Sequence, residues 1–142
     1  MIKKKFILFY KYMHKINVLA FGSKNLNTSL TEIKDHLKFK LTTMDKVLDI
    51  TIFENYDVLF CHEDFLKDQR SIVQIKNLKK IKILVLNSRK KSNFDFFNDT
   101  LFLPTKFENL NFIIENSIAK RNFSRNSSIK VKNYVLDKNE KK

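Results

Sequence analysis

Apolar residues in this chain occur in two alternating arrangements. Short, nearly unbroken runs appear at Ile16-Asn-Val-Leu-Ala-Phe21, Tyr56–His62 (with Val58-Leu-Phe-Cys61 at its centre), Ile81-Lys-Ile-Leu-Val-Leu86 and Leu101-Phe-Leu103. Between them, apolar positions recur every three or four residues. Unbroken runs read as strands covered on both faces, and the wider spacing reads as helices with one buried side. Phe39–Thr42 adds a short second strand. The helical faces are Leu26, Leu30, Ile33 and Leu37; then Met44, Val47, Leu48 and Thr51; then Ile72, Val73, Ile75 and Leu78 within Asp68–Lys80. A weak helix is predicted around Phe94–Phe97. The strongest pattern follows Pro104, with Phe107, Leu110, Ile113, Ile114, Ser117 and Ile118 on one face. Ser29 with Glu32, and Thr105 with Glu108, have the spacing of capping boxes.

Five strands alternating with five helices predict an α/β fold, a flavodoxin-like (βα)5 domain with a five-stranded parallel sheet and helices on both faces. The domain is expected over residues 14–121, after an N-terminal extension at 1–13 in which Met13 is an alternative start. Residues 122–128, rich in Asn, Ser and Arg, read as a linker. Ile129-Lys-Val-Lys-Asn-Tyr-Val-Leu136 then alternates like an edge strand, followed by the turn Asp137-Lys-Asn-Glu. A lone strand needs partners, so residues 129–142 are expected to be the first strand and turn of a further domain.

The net charge is +13, yet Lys, Asn, Ile and Phe are all abundant while Gly and Pro occur once each. A coding sequence rich in A and T explains that bias, so the charge alone does not establish a nucleic-acid interface, which concentrates its cations on one face. The single cysteine, Cys61, excludes an internal disulfide and a cysteine-based metal site, and its apolar run makes it a core thiol. The apolar run Phe6–Tyr10 is too short for a signal-peptide core or a membrane span. A cytoplasmic protein is expected.

In open α/β sheets, chemistry sits beyond the carboxyl ends of the strands. His62, Glu63 and Asp64 fall there. His14 and His36 share no ligand spacing with His62, and neither a nucleophile nor a glycine-rich phosphate loop accompanies it. Neither an enzyme nor a metal or cofactor site is therefore expected. Gly22, the only glycine, marks the corner after the first strand, where positive φ or close packing is needed.

Taken together, Tyr56-Asp-Val-Leu-Phe-Cys-His62, Ile81–Ser88, Leu101–Leu110 and Ser128–Asp137 resemble the OmpR/PhoB family of response regulators. The resemblance implies a receiver domain joined to a winged-helix DNA-binding domain. It also implies phosphoryl transfer to an aspartate ending the third strand, with Mg²⁺ held by acids after the first strand. A hydroxyl after the fourth strand and a lysine ending the fifth bind the phosphoryl oxygens in that family. This sequence departs from the pattern at each position. Gly22 and Ser23 lie in a corner, Ala20–Asn25, with no carboxylate in any register; His62 takes the acceptor position, Asn87 the hydroxyl position and Thr105 the lysine position. A one-residue slip restores Ser88 and Lys106, or offers Glu63 as acceptor, but no slip restores the metal-binding acids.

The expectation is thus an atypical, phosphorylation-independent receiver-like domain serving dimerisation and signal input, with DNA contacted by the following domain. The alternative is a stand-alone module of the same fold that binds a ligand or a protein. The resemblance implies a homodimer face built on the fourth helix, fifth strand and last helix. Phe94, Phe97, Phe102 and Phe107 are its candidates, rimmed by charges such as Asp95 and Lys91.

Overall fold

A computed structural model of the protein describes residues 15–122. The extension at 1–13, the linker beyond residue 122 and the strand expected at 129–136 lie outside the described residues. Strands β1 (Asn17–Phe21), β2 (Lys40–Met44), β3 (Val58–His62), β4 (Ile81–Leu86) and β5 (Asp99–Phe102) form one sheet. The order is β2-β1-β3-β4-β5, and every neighbouring pair is parallel. Helix α1 is Lys24–Glu32, α2 is Gln69–Lys76 and α3 runs over 107–122. No helix among the described residues is long and apolar enough to cross a membrane.

Alternation along the central strands sends successive side chains to opposite faces. Val18, Ala20, Val58, Phe60, Ile83 and Val85 meet α1 and α3 through Leu26, Leu30, Leu110, Ile114 and Ile118. On the other face Leu19, Phe21, Leu59, Cys61, Leu84 and Leu86 meet Phe53, Leu66 and Ile75. β3 and β4 are buried at every position. Burying each large apolar side chain contributes about 2 kcal/mol, so these two runs fix the middle of the domain.

The expected helical face of α3 is borne out: Leu110, Ile113, Ile114, Ser117 and Ile118 are buried and Phe107 is partly so. Asn111, which the pattern left among the polar positions, is buried too. Its Oδ1 accepts from Lys38 N at 2.8 Å and its Nδ2 donates to His36 O at 3.1 Å, tying α3 to the connection before β2.

Two expected helices are absent. Met44 ends β2, Leu48 is 90 % exposed, and the link from β2 to β3 is a 3₁₀ segment, Ile50–Asn55. Asp49 begins that segment in an extended conformation, its carboxylate accepting from Thr51 N at 3.0 Å. An extended residue there cannot continue a helix from Met44 to Thr51. One side chain fills the space instead: Phe53 is fully buried and packs 4.9 Å from Phe21, centroid to centroid.

Likewise, no helix joins β4 to β5 over residues 87–98. Ser92 Oγ accepts from Phe94 N at 3.0 Å, a local turn that competes with a helix. Phe94, Phe96 and Phe97 cover the sheet as a cluster, the last two stacked at 4.7 Å. The loop is pinned to β4 by Asn98 N donating to Lys82 O and Asn98 Oδ1 accepting from Lys82 N, both at 2.8 Å. Neither capping box forms as spaced. Ser29 and Glu32 lie inside α1, whose cap is Ser23, with Oγ accepting from Leu26 N at 3.3 Å. Thr105 Oγ1 turns to Lys106 O.

Candidate functional site

The carboxyl edge of the sheet gathers most of the positions singled out from the sequence. Gly22 follows β1 with φ +104°, a region that favours glycine, and a Cβ added there would lie 2.9 Å from Phe65 Cβ and 3.1 Å from His62 O. Both reasons anticipated for a glycine at this corner therefore apply. Ser23 is occupied in capping α1.

His62 closes β3 and is fully buried. Its Nδ1 accepts from Asp64 N at 3.1 Å, and its Nε2 lies 2.8 Å from Asn87 Oδ1. A ring nitrogen that accepts a backbone N–H carries no proton, so Nε2 bears it and donates to Asn87. The imidazole is thus neutral, with both nitrogens engaged. The Asp64 carboxylate stands 3.4 Å from Nδ1. Glu63 pairs with Lys90 at 3.0 Å. Both are side chains of the loops that leave β3 and β4.

Asn87 has a second environment. With Thr105 it lines a cavity of about 500 Å³ floored by Leu26 and Leu30 of α1 and walled by Leu103 and Pro104. β5 ends at Phe102, so Thr105 stands three residues past the strand, beyond the cis peptide Leu103–Pro104. Ser88 and Thr105 also border a groove of about 730 Å³ along β5. Gly22, His62 and Asn87 are therefore joined by direct contact, Thr105 is joined to Asn87 across a cavity, and Ser23 faces its own helix.

The aromatic candidates divide between the two faces. Phe94, Phe97 and Phe102 pack with the α2 side, whereas Phe107 packs with α1 and α3, stacked 4.8 Å from His36. All four are half-buried. The exposed aromatic on this flank is Phe112 on α3, 66 % exposed, which the helical pattern left among polar positions.

Lys82 was also hidden inside an apolar run. It is 5 % exposed, and its Nζ donates to Ile75 O at 3.1 Å, Lys76 O at 3.2 Å and Leu78 O at 3.0 Å, with the Phe96 ring 5.4 Å away. The cation stands at the negative end of α2 and satisfies its last carbonyls. Burial pushes its pKa down from the ordinary lysine value, and the nearby Cys61 thiol pushes it back up. The Cys61 thiol is itself driven far above its usual range by burial, which leaves it unreactive.

Chemically, the carboxyl edge offers a neutral, doubly bonded imidazole and an amide, with the Asp64 carboxylate beside the ring and Glu63 paired with Lys90. Among the described residues no group of three or more His, Cys, Asp or Glu side chains is placed to hold a metal ion.

No protein-family model matches the sequence. No curated protein matches it either. Solved structures do. A response regulator from Thermotoga maritima is 11 % identical with a TM-score of 0.59, over 74 % of this chain and 98 % of that one. A response regulator receiver domain protein from Clostridium thermocellum is 13 % identical with a TM-score of 0.58, over 76 % and 98 %. A response regulator receiver modulated diguanylate cyclase from Pelobacter carbinolicus is 14 % identical with a TM-score of 0.56, over 78 % and 98 %. At these identities the likeness is one of fold: the chain has the flavodoxin-like receiver-domain fold, with a 3₁₀ segment and an aromatic loop where two further helices were expected.

Proposed function

We propose that this chain is a receiver-like signal-input domain that works without aspartyl phosphorylation. The observation that carries the reading is His62. At the end of β3, a buried neutral imidazole is held by Asn87 on one side and by Asp64 N on the other. Phosphoryl transfer to a carboxylate needs a metal ion or equivalent cations to neutralise the phosphoryl oxygens. The corner Gly22-Ser23-Lys24 offers no carboxylate to hold that metal, and Lys24 has the opposite charge.

In this reading the domain contributes dimerisation and signal input to a regulator, and DNA is contacted by a winged-helix domain that follows it. The alternation at Ile129–Leu136 supports that second domain, and half-buried Phe94, Phe97 and Phe102 near β5 support a partner surface. Incubation of the full chain with Mg²⁺ and acetyl phosphate, followed by intact-mass measurement, is expected to add no phosphoryl group. A stoichiometric adduct mapped to Glu63 or Asp64 sinks the proposal.

A second reading, a ligand- or protein-binding module of the same fold, draws on the cavity shared by Asn87, Thr105 and α1. The coding sequence past Lys142 separates the two: helix-turn-helix patterning favours the regulator, and a stop codon favours the module.

A further inference from the structure

The amino edge of the sheet, opposite the His62 end, holds a cavity of about 560 Å³. Lys79 and Lys80, just before β4, line it from one side, and Lys120 and Arg121, in the last described turn of α3, line it from the other. Asp57 is the one acid in the lining among the described residues, and its Oδ2 accepts from Asn17 N at 2.9 Å. Four cations thus surround one small concave space, and none of them has a salt-bridge partner among the described residues.

The hydrogen-bonding inventory points the same way. Lys80 Nζ donates to Glu54 O at 3.1 Å, which uses one of its three donors. Arg121 Nε is buried and has no hydrogen-bond partner among the described residues. A buried donor without an acceptor is costly and is satisfied when an acceptor arrives. Ser117, 7 % exposed, and Asn98, whose Oδ1 is used by Lys82 N, add a hydroxyl and an amide N–H donor to the lining.

Cations near helix ends often only offset the helix dipole. That role is open to Lys120 and Arg121 in the last described turn of α3, and Lys82 already serves α2. It does not account for Lys79 and Lys80 converging on the same space from the loop before β4, nor for the orphaned guanidinium donor.

We infer that this cavity binds a small, multiply charged phosphate compound, of the class of pyrophosphate or a nucleoside polyphosphate. A volume in the range of small-molecule sites, three ammonium groups and a guanidinium fit phosphate oxygens better than a lone carboxylate, which needs fewer charges. The site is independent of the carboxyl-edge positions.

Inorganic pyrophosphate titrated into the full chain at low salt, followed by calorimetry, tests the inference. Saturable binding at one site is expected, weakened about tenfold by each of Lys79→Gln, Lys120→Gln and Arg121→Gln. Lys46→Gln, in the loop after β2 on the other edge, should leave it unchanged. Absence of saturable binding, or equal weakening by Lys46→Gln, overturns the site in favour of diffuse surface charge. A nucleoside triphosphate that competes with pyrophosphate supports the assignment. Duplex DNA that binds more tightly than pyrophosphate at equal phosphate concentration overturns the assignment to a small molecule. Far-UV circular dichroism of each variant confirms that the measured loss belongs to a folded chain.

Discussion

Replacing Lys82 by methionine removes a charge while keeping most of the volume, and the structure specifies what is lost. Of the three carbonyls that accept from Nζ, Ile75 O also accepts from Leu78 N at 3.1 Å and keeps a partner. For Lys76 O and Leu78 O the ammonium is the donor. Two charge-assisted bonds at about 1.5–3 kcal/mol each suggest a gross loss of roughly 3–6 kcal/mol. Removing a buried ammonium also relieves its desolvation, which offsets a substantial part of that. The net expectation is a loss of roughly 2–3 kcal/mol, on the order of 10 °C in Tm for a domain of this size.

Urea unfolding followed by circular dichroism measures this as a lower midpoint at unchanged slope. A midpoint equal to or above that of the wild type would refute the idea that α2 is held by this cation, because burial of an apolar stem would then be sufficient. The pH dependence gives an independent check. Burial lowers the native pKa of Lys82 below its ordinary value of 10.5, so between the two values the unfolded chain binds more protons than the native one. Stability from this group therefore rises with pH through that alkaline window, and the gap between wild type and Lys82→Met widens there.

Gly22→Ala is expected to lose about 2–4 kcal/mol, since it combines a positive φ with a Cβ too close to Phe65; a midpoint within error of wild type would mean that the corner relaxes. His62→Asp restores a carboxylate at the end of β3 but leaves Asn87 Oδ1 without its donor and buries a charge. It should destabilise the domain by about 2–3 kcal/mol and still gain no phosphoryl group from acetyl phosphate; stoichiometric modification of that variant would show that the empty corner after β1 is no barrier. Phe53→Ala should lose about 3–5 kcal/mol because its ring fills the space under β1, whereas a loss below 1 kcal/mol would show that the 3₁₀ segment closes over the gap.

The sheet was legible because its central strands are nearly unbroken apolar runs; Val58–His62 and Ile81–Leu86 carry that signal whatever their neighbours do. The connections were less so. Met44, Val47, Leu48 and Thr51 have helical spacing, but spacing cannot tell a helix from a strand end followed by a loop when a capping aspartate such as Asp49 intervenes. Phe94–Phe97 reads as a short apolar helix turn because aromatic side chains cover a sheet equally well from an irregular loop. Lys82 was invisible for a different reason. A lysine in an apolar run reads as a break in the pattern unless a helix end is known to lie above it. At the candidate site, Gly22 and His62 could be read from strand ends alone. The bond from His62 to Asn87 joins residues 25 apart in sequence and could be seen only once β3 and β4 were placed side by side.

The two edges of the sheet end in different chemistry, and this bears on how a signal could enter. Around His62 at the carboxyl edge the donors and acceptors are already matched: His62 with Asn87 and Asp64 N, Ser23 with Leu26 N, Glu63 with Lys90. A matched network favours one arrangement, and a newcomer must displace a bond to enter it. At the amino edge the balance is uneven among the described residues, with four cations, one bearing a buried guanidinium donor, facing a single carboxylate, Asp57, whose Oδ2 already accepts from Asn17 N. An added anion there gains interactions without breaking any. If the domain responds to a small phosphate compound, the response therefore begins at the amino ends of β3 and β4 and at the last described turn of α3, not at the strand end that His62 has closed.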